Sequence, residues 1–324
     1  MSEKPPATSG PTSGPTSGPA SAPALRPVAH RAMATMFEII IADAGQAAAR
    51  DAAQAAFVEI DRMERLLSRF MPYSDISRIN AAEPGKAVVV EIETAECLQA
   101  ARRMWERTGG SFDVTAGSPP AGPGTRSAGE KVAAGMNRLA IDADAMSVSR
   151  LDAGVRLDLG GIGKGYALDR AADLLGQWGV ANAMLHSGTS TVRAIGRRPG
   201  RDGWQVDLRN PSDDRAALGS VTLRDCSFSG SSTAQSRHIV DPRTGKHVQA
   251  DRAAWALAGD AAAADALTTA LCVMDDEEAR RFAKRNPKLS FILGRRIKGQ
   301  WRLDEFGPKV LGTCMKTVAW ASRP

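Results

Sequence analysis

The chain has 324 residues, of which 43% are hydrophobic, 24% are charged and 5% are aromatic, and its formal net charge is +6. This length allows one large domain or two ordinary ones, with a sizeable core. The low aromatic content and the dispersed charges argue against a nucleic-acid-binding surface. No apolar run approaches the roughly 18 residues of a membrane span. The four cysteines form no CxxC pair, which argues against a zinc site or a disulfide framework.

The first 27 residues consist mainly of Pro, Ser, Gly, Thr and Ala, and the sequence PTSG at 11–14 is repeated at 15–18. Such a segment buries too little apolar surface to offset its ordering entropy, so residues 1–27 are predicted to form a disordered tail. Residues 28–324 are predicted to form a single domain. The N-terminus lacks a charged segment followed by an apolar one, and it lacks a lipobox-like cysteine. We therefore expect a cytoplasmic protein.

Apolar periodicity predicts the elements of the first half of the chain. A strand over 36–42 precedes a helix whose apolar stripe runs from Ala56 to Phe70. The remaining predictions are a polar turn at 73–78, a short strand at 87–90, a helix at 94–108 and a Pro/Gly-rich loop at 117–129 that could act as a lid.

The second half is richer in short strand-like runs, whose close spacing favours antiparallel neighbours. Strands are predicted at 155–159, 180–185, 190–195, 204–208, 221–223, 253–257, 289–293 and 301–303, and helices at 166–175, at 261–274 and from 276 to before Pro287. Since helices and strands do not alternate strictly, we predict an α+β fold of mixed, largely antiparallel sheets with packed helices.

A glycine-rich turn stands at the centre of this order, in the sequence LDLGGIGKGY at 157–166. A strand, a glycine turn and a helix together place bare backbone N–H groups at a positive helix terminus, where a phosphate can approach. The glycine spacing matches neither a dinucleotide fingerprint nor a P-loop. A phosphate site and an ordinary tight turn are therefore both open.

Three oxygen-bearing side chains share one face of the predicted helix at 261–274: Asp265, Thr268 and Thr269. A carboxylate and a hydroxyl are hard oxygen ligands of the kind that Mg²⁺ prefers. The alternative is an ordinary solvated helix face.

His238 precedes a turn with the sequence DPRTG at 241–245. A histidine beside an aspartate, here Asp241, can act as a general base, although most single histidines at strand ends are structural. Phe112 follows the glycines that end the second helix. Its ring could stack on a planar ligand or anchor the loop in the core.

In this order, these stretches resemble the FAD:protein FMN transferase family, the ApbE-type flavin transferases. The matching pieces are residues 33–37, 62–80, 109–115, 157–166, 238–245 and 264–271. The resemblance implies the ApbE-like fold and an enzyme that uses FAD as substrate with Mg²⁺. Such an enzyme transfers FMN to a Thr or Ser hydroxyl of an acceptor flavoprotein and releases AMP.

The resemblance also implies roles for individual residues. The metal is expected at the Gly163 carbonyl, Asp265 and Thr269, and His238 is the candidate base, with Asp241 in the matching turn. Met33 and Phe70 match positions that line the flavin, and Phe70 replaces the usual Tyr. The other expected FAD contacts are Phe112, Asp113, Val114, Gly160, Tyr166 and Val240.

The chain departs from the family pattern in several loops. Ala34 replaces a glycine, residues 186–190 replace the usual Gly-Gly-Asp, and residues 119–123 replace an apolar run. Two alternatives therefore stay open beside the transferase: a hydrolase that splits FAD without an acceptor, and a flavin-binding module without catalysis.

Overall fold

The computed structural model describes residues 25–116, 135–234, 239–248, 251–308 and 314–316. Nearly all of the predicted tail, the Pro/Gly-rich loop at 117–129 and His238 lie outside the described residues. The helices are α1 (Gln46–Leu67), α2 (Asp75–Ala81), α3 (Ile92–Arg107), α4 (Gly163–Gln177), α5 (Ala261–Val273) and α6 (Asp276–Arg285). None of these helices is long and apolar enough to cross a bilayer.

The strands form three sheets. They are β1 (Val28–Ala32), β2 (Thr35–Ile41), β3 (Val88–Val89), β4 (Leu139–Asp142), β5 (Ser147–Arg150), β6 (Ala183–Ser187), β7 (Thr191–Ile195), β8 (Trp204–Asn210), β9 (Asp213–Arg224), β10 (Ser227–Ser232), β11 (Arg252–Ala258), β12 (Phe291–Ile297), β13 (Gln300–Phe306) and β14 (Cys314–Lys316). The main sheet has eight strands in the order β1-β2-β6-β7-β10-β11-β12-β13, all antiparallel. The other two have the orders β14-β9-β8 and β3-β5-β4. The predicted α+β class is confirmed.

The main sheet is the middle layer of three. Because side chains alternate between the faces of a strand, Leu185 packs in the cluster beneath the helices while its neighbour Met184 packs in a second cluster. Likewise, Ala256 packs in the first cluster and its neighbour Trp255 in the second. The second cluster also contains Trp204 and Leu208 of β8, so the small sheet covers the face opposite the helices. This arrangement puts α4 and α5 together on one face.

The structure corrects the prediction for residues 73–78. The polar turn predicted at 73–78 is instead the start of α2, whose N-cap Ser74 accepts a hydrogen bond from the Ser77 N–H at 3.0 Å. Ile76 and Ile79 are fully buried. Two apolar residues three apart are enough to anchor two helical turns, but they are too few to stand out as a periodic pattern. Strands β1, β4, β5, β10 and β14 were also missed.

Residues 155–159 do not form the predicted strand. Their burial alternates as expected, with Val155, Leu157 and Leu159 buried. However, the segment makes only an isolated parallel bridge between Arg156 and Ala116. The Asp158 N–H donates to the Val114 carbonyl at 2.8 Å, so this extended segment lies along the loop that carries Phe112.

A buried arginine fixes the start of that segment. Arg150 is 4% exposed, and its guanidinium donates to the carbonyls of Ile79 at 2.8 Å and Val155 at 2.9 Å, and also to that of Ala82. We expect Arg150→Lys to lower the free energy of unfolding by about 2 kcal/mol or more, because an ammonium cannot reproduce the planar fork of donors. Urea denaturation measures this. The matched change at exposed Arg103 should have almost no effect, and equal losses in the two variants would contradict the assignment.

Candidate functional site

The glycine turn lies directly against α5. Helix α4 begins at Gly163, and Gly160 and Gly161 form the preceding bend. A Cβ added at Gly161 would lie 3.1 Å from Thr269 Oγ1 and 3.2 Å from a ring carbon of Phe112. Glycine therefore lets the bend approach the hydroxyl of Thr269 closely. The N-terminus of α4 carries a positive partial charge at this point.

Asp265 of α5 points its carboxylate at the same turn. The Gly165 N–H donates to Asp265 Oδ2 at 3.3 Å, and the residue is only 3% exposed. Burial raises the pKa of Asp265, and the nearby positive charge of Lys164 opposes this shift. A cation bound next to such a buried carboxylate would stabilise its ionised form.

The distance between the turn and Asp265 is set by the crossing of α4 and α5. Gly165 lies at the crossing, where an added Cβ would be 2.2 Å from the Ala261 carbonyl oxygen. Asp169 of α4 accepts hydrogen bonds from the N–H groups of Ala261 at 2.8 Å and Ala262 at 2.9 Å. These are among the N–H groups at the start of α5 that have no partner within the helix, so one carboxylate fastens the two helices together.

The oxygen atoms of this cluster fit a small divalent cation. Thr269 donates its hydroxyl proton to the Asp265 main-chain carbonyl at 3.3 Å, which leaves the hydroxyl lone pairs available to a cation. The Asp265 carboxylate and the backbone carbonyl groups of the adjacent glycine turn are further hard oxygen ligands of this kind. The described residues hold no group of three or more His, Cys, Asp or Glu side chains suited to a metal, so a cation here would need carbonyl or hydroxyl oxygens in addition to carboxylate.

A cavity of about 1090 Å³ opens onto this cluster. That volume slightly exceeds the range of roughly 300–1,000 Å³ that is usual for small-molecule sites. Its walls include Gly160, Gly161, Lys164, Asp265 and Thr269, and also Val192, Phe228 and Trp255 on the face of the main sheet that carries the small sheet. A ligand that fills it can thus contact both the oxygen cluster and an apolar wall.

Of the residues expected to contact FAD, Phe70, Asp113, Gly160 and Val240 line this cavity. Phe70 is 78% exposed, and the guanidinium carbon of Arg69 lies 4.1 Å from the centre of its ring. The Asp113 carboxylate accepts from the Thr115 N–H at 2.8 Å and the Thr115 hydroxyl at 2.6 Å, and burial raises its pKa.

The other expected contacts lie behind the cavity wall. Phe112 and Val114 are buried beneath the glycine turn. Met33 has a φ of 47°, and its methyl carbon lies 3.7 Å from the position that a Cβ would take at Gly163. Tyr166 is turned towards α3, where its hydroxyl donates to Glu96 at 2.8 Å.

Asp241 holds its own turn together. Its carboxylate accepts from the Arg243 guanidinium at 2.9 Å, and Arg243 also pairs with Glu278 of α6. The carboxylate is thus directed at Arg243, whereas the neighbouring Val240 and Pro242 line the cavity. His238, the candidate base, lies outside the described residues.

Several residues of the site could not be identified from the sequence. Arg69 forms an ion pair with Asp158 at 2.8 Å, and both line the cavity. The hydroxyl groups of Ser229 and Ser231 on β10 lie 3.5 Å and 2.9 Å from Thr268 Oγ1 of α5. No local pattern signals either group, because their partners are distant in the chain.

Comparison with known sequences places these features in a family. The model of the ApbE family matches residues 33–293. A protein of Rhodobacter capsulatus named FAD:protein FMN transferase is 28% identical over 272 residues, which cover 77% of this chain but only 51% of that protein. The chain thus spans about half the length of this relative. A protein of the same name from Haemophilus influenzae is 25% identical, and the match covers 72% of this chain and 75% of that protein.

Solved structures match over almost the whole described chain. The ApbE protein of Thermotoga maritima superposes with a TM-score of 0.76 and 26% identity, covering 87% of this chain and 97% of that one. The flavin transferase ApbE of Vibrio cholerae gives a TM-score of 0.74 with the same coverage, and at 23% identity it supports the fold alone.

Proposed function

This chain belongs to the ApbE family, a family of enzymes whose relatives are named FAD:protein FMN transferase, and from that premise we propose that it transfers FMN from FAD to an acceptor flavoprotein. The acceptor residue is a Thr or Ser, and AMP is the leaving group. The acceptor oxygen forms a bond to the FMN phosphorus as the bond to the AMP oxygen breaks, and the acceptor hydroxyl loses its proton.

The observation that carries this proposal is the meeting of the glycine turn, Asp265 and Thr269 at one wall of a large cavity. Phosphoryl-type transfer depends on positioning and on neutralising charge more than on covalent catalysis. The positive partial charge at the start of α4 favours a diphosphate nearby, and Lys164 adds a positive charge on the same wall. The site therefore has the charge that a dinucleotide's diphosphate requires.

The residues of the oxygen cluster would hold Mg²⁺ through the Asp265 carboxylate, the Thr269 hydroxyl and the Gly163 carbonyl. When bound, Mg²⁺ neutralises charge on the diphosphate and on the departing AMP. The protein's own contribution is to orient these oxygens before the substrate arrives, through the contacts that fasten α4 to α5. The positive charge of Lys164 supports the ionised form of Asp265, which is the form that binds a cation.

The remaining residues are assigned to substrate binding. Phe70 at the cavity mouth and Met33 behind the turn would border the flavin, and the ring of Phe70 would stack on it with the face that Arg69 does not cover. The other proposed FAD contacts are Asp113, Gly160 and Val240, which line the cavity. Phe112, Val114 and Tyr166 lie behind the cavity wall and would support it. His238 is proposed as the base that takes the acceptor proton, with Asp241 holding the turn that follows it.

The proposal is tested with purified protein, FAD and Mg²⁺, with and without a candidate acceptor flavoprotein. We expect the acceptor to gain the mass of one FMN, with one AMP released for each FMN transferred. Release of AMP without an acceptor, and no mass gain with one, would instead identify an FAD hydrolase. Bound flavin with neither product would identify a carrier and overturn the proposal.

A further inference from the structure

The side chain of Asn80, on α2, makes two backbone hydrogen bonds close to the glycine turn, and none of the roles assigned above uses it. Its Nδ2 donates to the Leu157 carbonyl at 2.9 Å, and its Oδ1 accepts from the Leu157 N–H at 2.7 Å. A side-chain amide carries the same donor and acceptor groups as a peptide unit. Asn80 therefore takes the place of a partner strand at this position, from 77 residues away in the chain.

The opposite edge of the segment around Leu157 is held by main-chain contacts. The N–H groups of Arg156 and Asp158 donate to carbonyls of the neighbouring loop at 3.2 Å and 2.8 Å. Because the N–H groups of an extended chain point alternately to its two edges, the Leu157 N–H faces the other edge, where Asn80 accepts it. Leu157 is 1% exposed, so the loss of Asn80 would leave backbone groups without partners where water has little access.

The position of Leu157 sets the position of the glycine turn. Asp158 Oδ1 accepts from the Gly160 N–H at 2.9 Å, and the Leu159 carbonyl accepts from the Gly163 N–H at 2.7 Å. Hydrogen bonds thus tie the turn to the two residues that follow Leu157. A displacement of Leu157 would therefore move the turn, and the start of α4 with it.

Asn80 is itself held on a rigid element. Helix α2 is anchored by Ile76 and Ile79, which are fully buried. The Arg150 guanidinium joins the end of this helix to the same segment, because it donates to the carbonyls of Ile79 at 2.8 Å and Val155 at 2.9 Å. The Asn80 amide is thus a fixed point from which the segment is positioned, as a precise binding site requires.

We infer that Asn80 is a positioning residue, which holds the glycine turn where it meets the diphosphate of FAD. This inference rests on the proposed function for the identity of FAD as the ligand. Asn80 lies outside the cavity wall, so it acts on the ligand through Leu157 and the turn. A misplacement of about 1 Å in a binding group can cost roughly 100-fold, so the loss of this contact should be measurable in the affinity for FAD.

The test is the affinity of the protein for FAD with Mg²⁺ and without an acceptor, measured by stopped-flow quenching of flavin fluorescence before turnover accumulates. All variants are measured well below their melting midpoints. We expect Asn80→Leu, which keeps a similar volume and loses both hydrogen bonds, to weaken FAD binding by about 10- to 100-fold. Asn80→Asp keeps the acceptor for the Leu157 N–H but turns a second acceptor towards the Leu157 carbonyl. It should weaken binding too, and it covers the case in which the leucine variant does not fold.

Ile79→Val is the matched control on the same helix. It removes one methyl group from the core and should lower the melting midpoint. The contact between Asn80 and Leu157 stays in place, so this variant should bind FAD as tightly as the parent chain. A purely structural role for Asn80 predicts instead that its variants melt earlier and bind FAD with parental affinity.

The outcomes separate this inference from the proposed function. Parental FAD affinity in both Asn80 variants, or an equal loss in Ile79→Val, would overturn the inference and leave the proposed function standing. Weakened binding in the Asn80 variants alone, with no FMN transferred by the parent chain to an acceptor, would support the inference and contradict the proposed function. A parent chain that binds no FAD would overturn both.

Discussion

Replacement of Asp265 by alanine should abolish Mg²⁺-dependent FAD turnover. Asp265 supplies the carboxylate of the oxygen cluster, and it is buried beside the glycine turn. A cation that stabilises charge in the transition state contributes several kcal/mol, and each 1.4 kcal/mol is about a factor of ten in rate. We therefore expect AMP release to fall by at least about 100-fold, as measured by chromatography of the nucleotide products.

Asp265→Asn sharpens this experiment because it keeps the volume of the side chain and removes its charge. It should lose activity almost as fully as the alanine variant while keeping a similar melting temperature. Asp144→Asn, on an exposed turn, is the control and should remain fully active. If Asp265→Asn turned over FAD at the parental rate, the carboxylate would have no part in the reaction.

Replacement of Gly165 by alanine should have the largest effect on stability of any single methyl group added to α4. The new Cβ would lie 2.2 Å from the Ala261 carbonyl oxygen and 2.8 Å from the Ala262 Cα. Both are backbone atoms, so α5 can yield only by moving as a unit. Overpacking of this kind costs about 3 kcal/mol or more when the neighbour is rigid, and thermal unfolding should show a markedly lower midpoint.

Gly176→Ala is the matched control, because it adds the same methyl group to the same helix. No atom lies within 4 Å of the position of its Cβ, and glycine within a helix costs roughly 0.5–1 kcal/mol relative to alanine. This variant should therefore be as stable as the parent chain or slightly more so. Similar melting temperatures for the two variants would mean that α4 and α5 do not cross closely at Gly165.

The sequence predicted best the helices whose residues repeat with helical periodicity. The periodicity of α1 and the oxygen-bearing face of α5 were both readable, and Asp265 and Thr269 were expected at one site because they are four residues apart on a helix. Their approach to the glycine turn, a hundred residues earlier, came from the family resemblance. No local sequence pattern predicts that α4 and α5 cross at Gly165.

The elements that the sequence did not predict are determined by contacts with residues that are distant in the chain. Residues 155–159 have the alternation of a strand but lie along a loop, so they form one bridge and no ladder. Arg150 looks like a surface residue in the sequence, and it is buried because four backbone carbonyls converge on it. The pairing of Thr191 with Ser229 likewise depends on the neighbouring positions of β7 and β10 in the main sheet.

The central claim is that one divalent cation is bound between the glycine turn and α5. A crystal of the protein grown with FAD and Mn²⁺ tests it most directly, because the anomalous scattering of Mn²⁺ distinguishes it from water and from the light atoms of the protein. The account predicts a single strong peak within coordination distance of the Asp265 carboxylate and Thr269 Oγ1, in contact with the diphosphate of FAD. A well-ordered diphosphate in the cavity, with no peak at Asp265 or with the peak elsewhere, would contradict it.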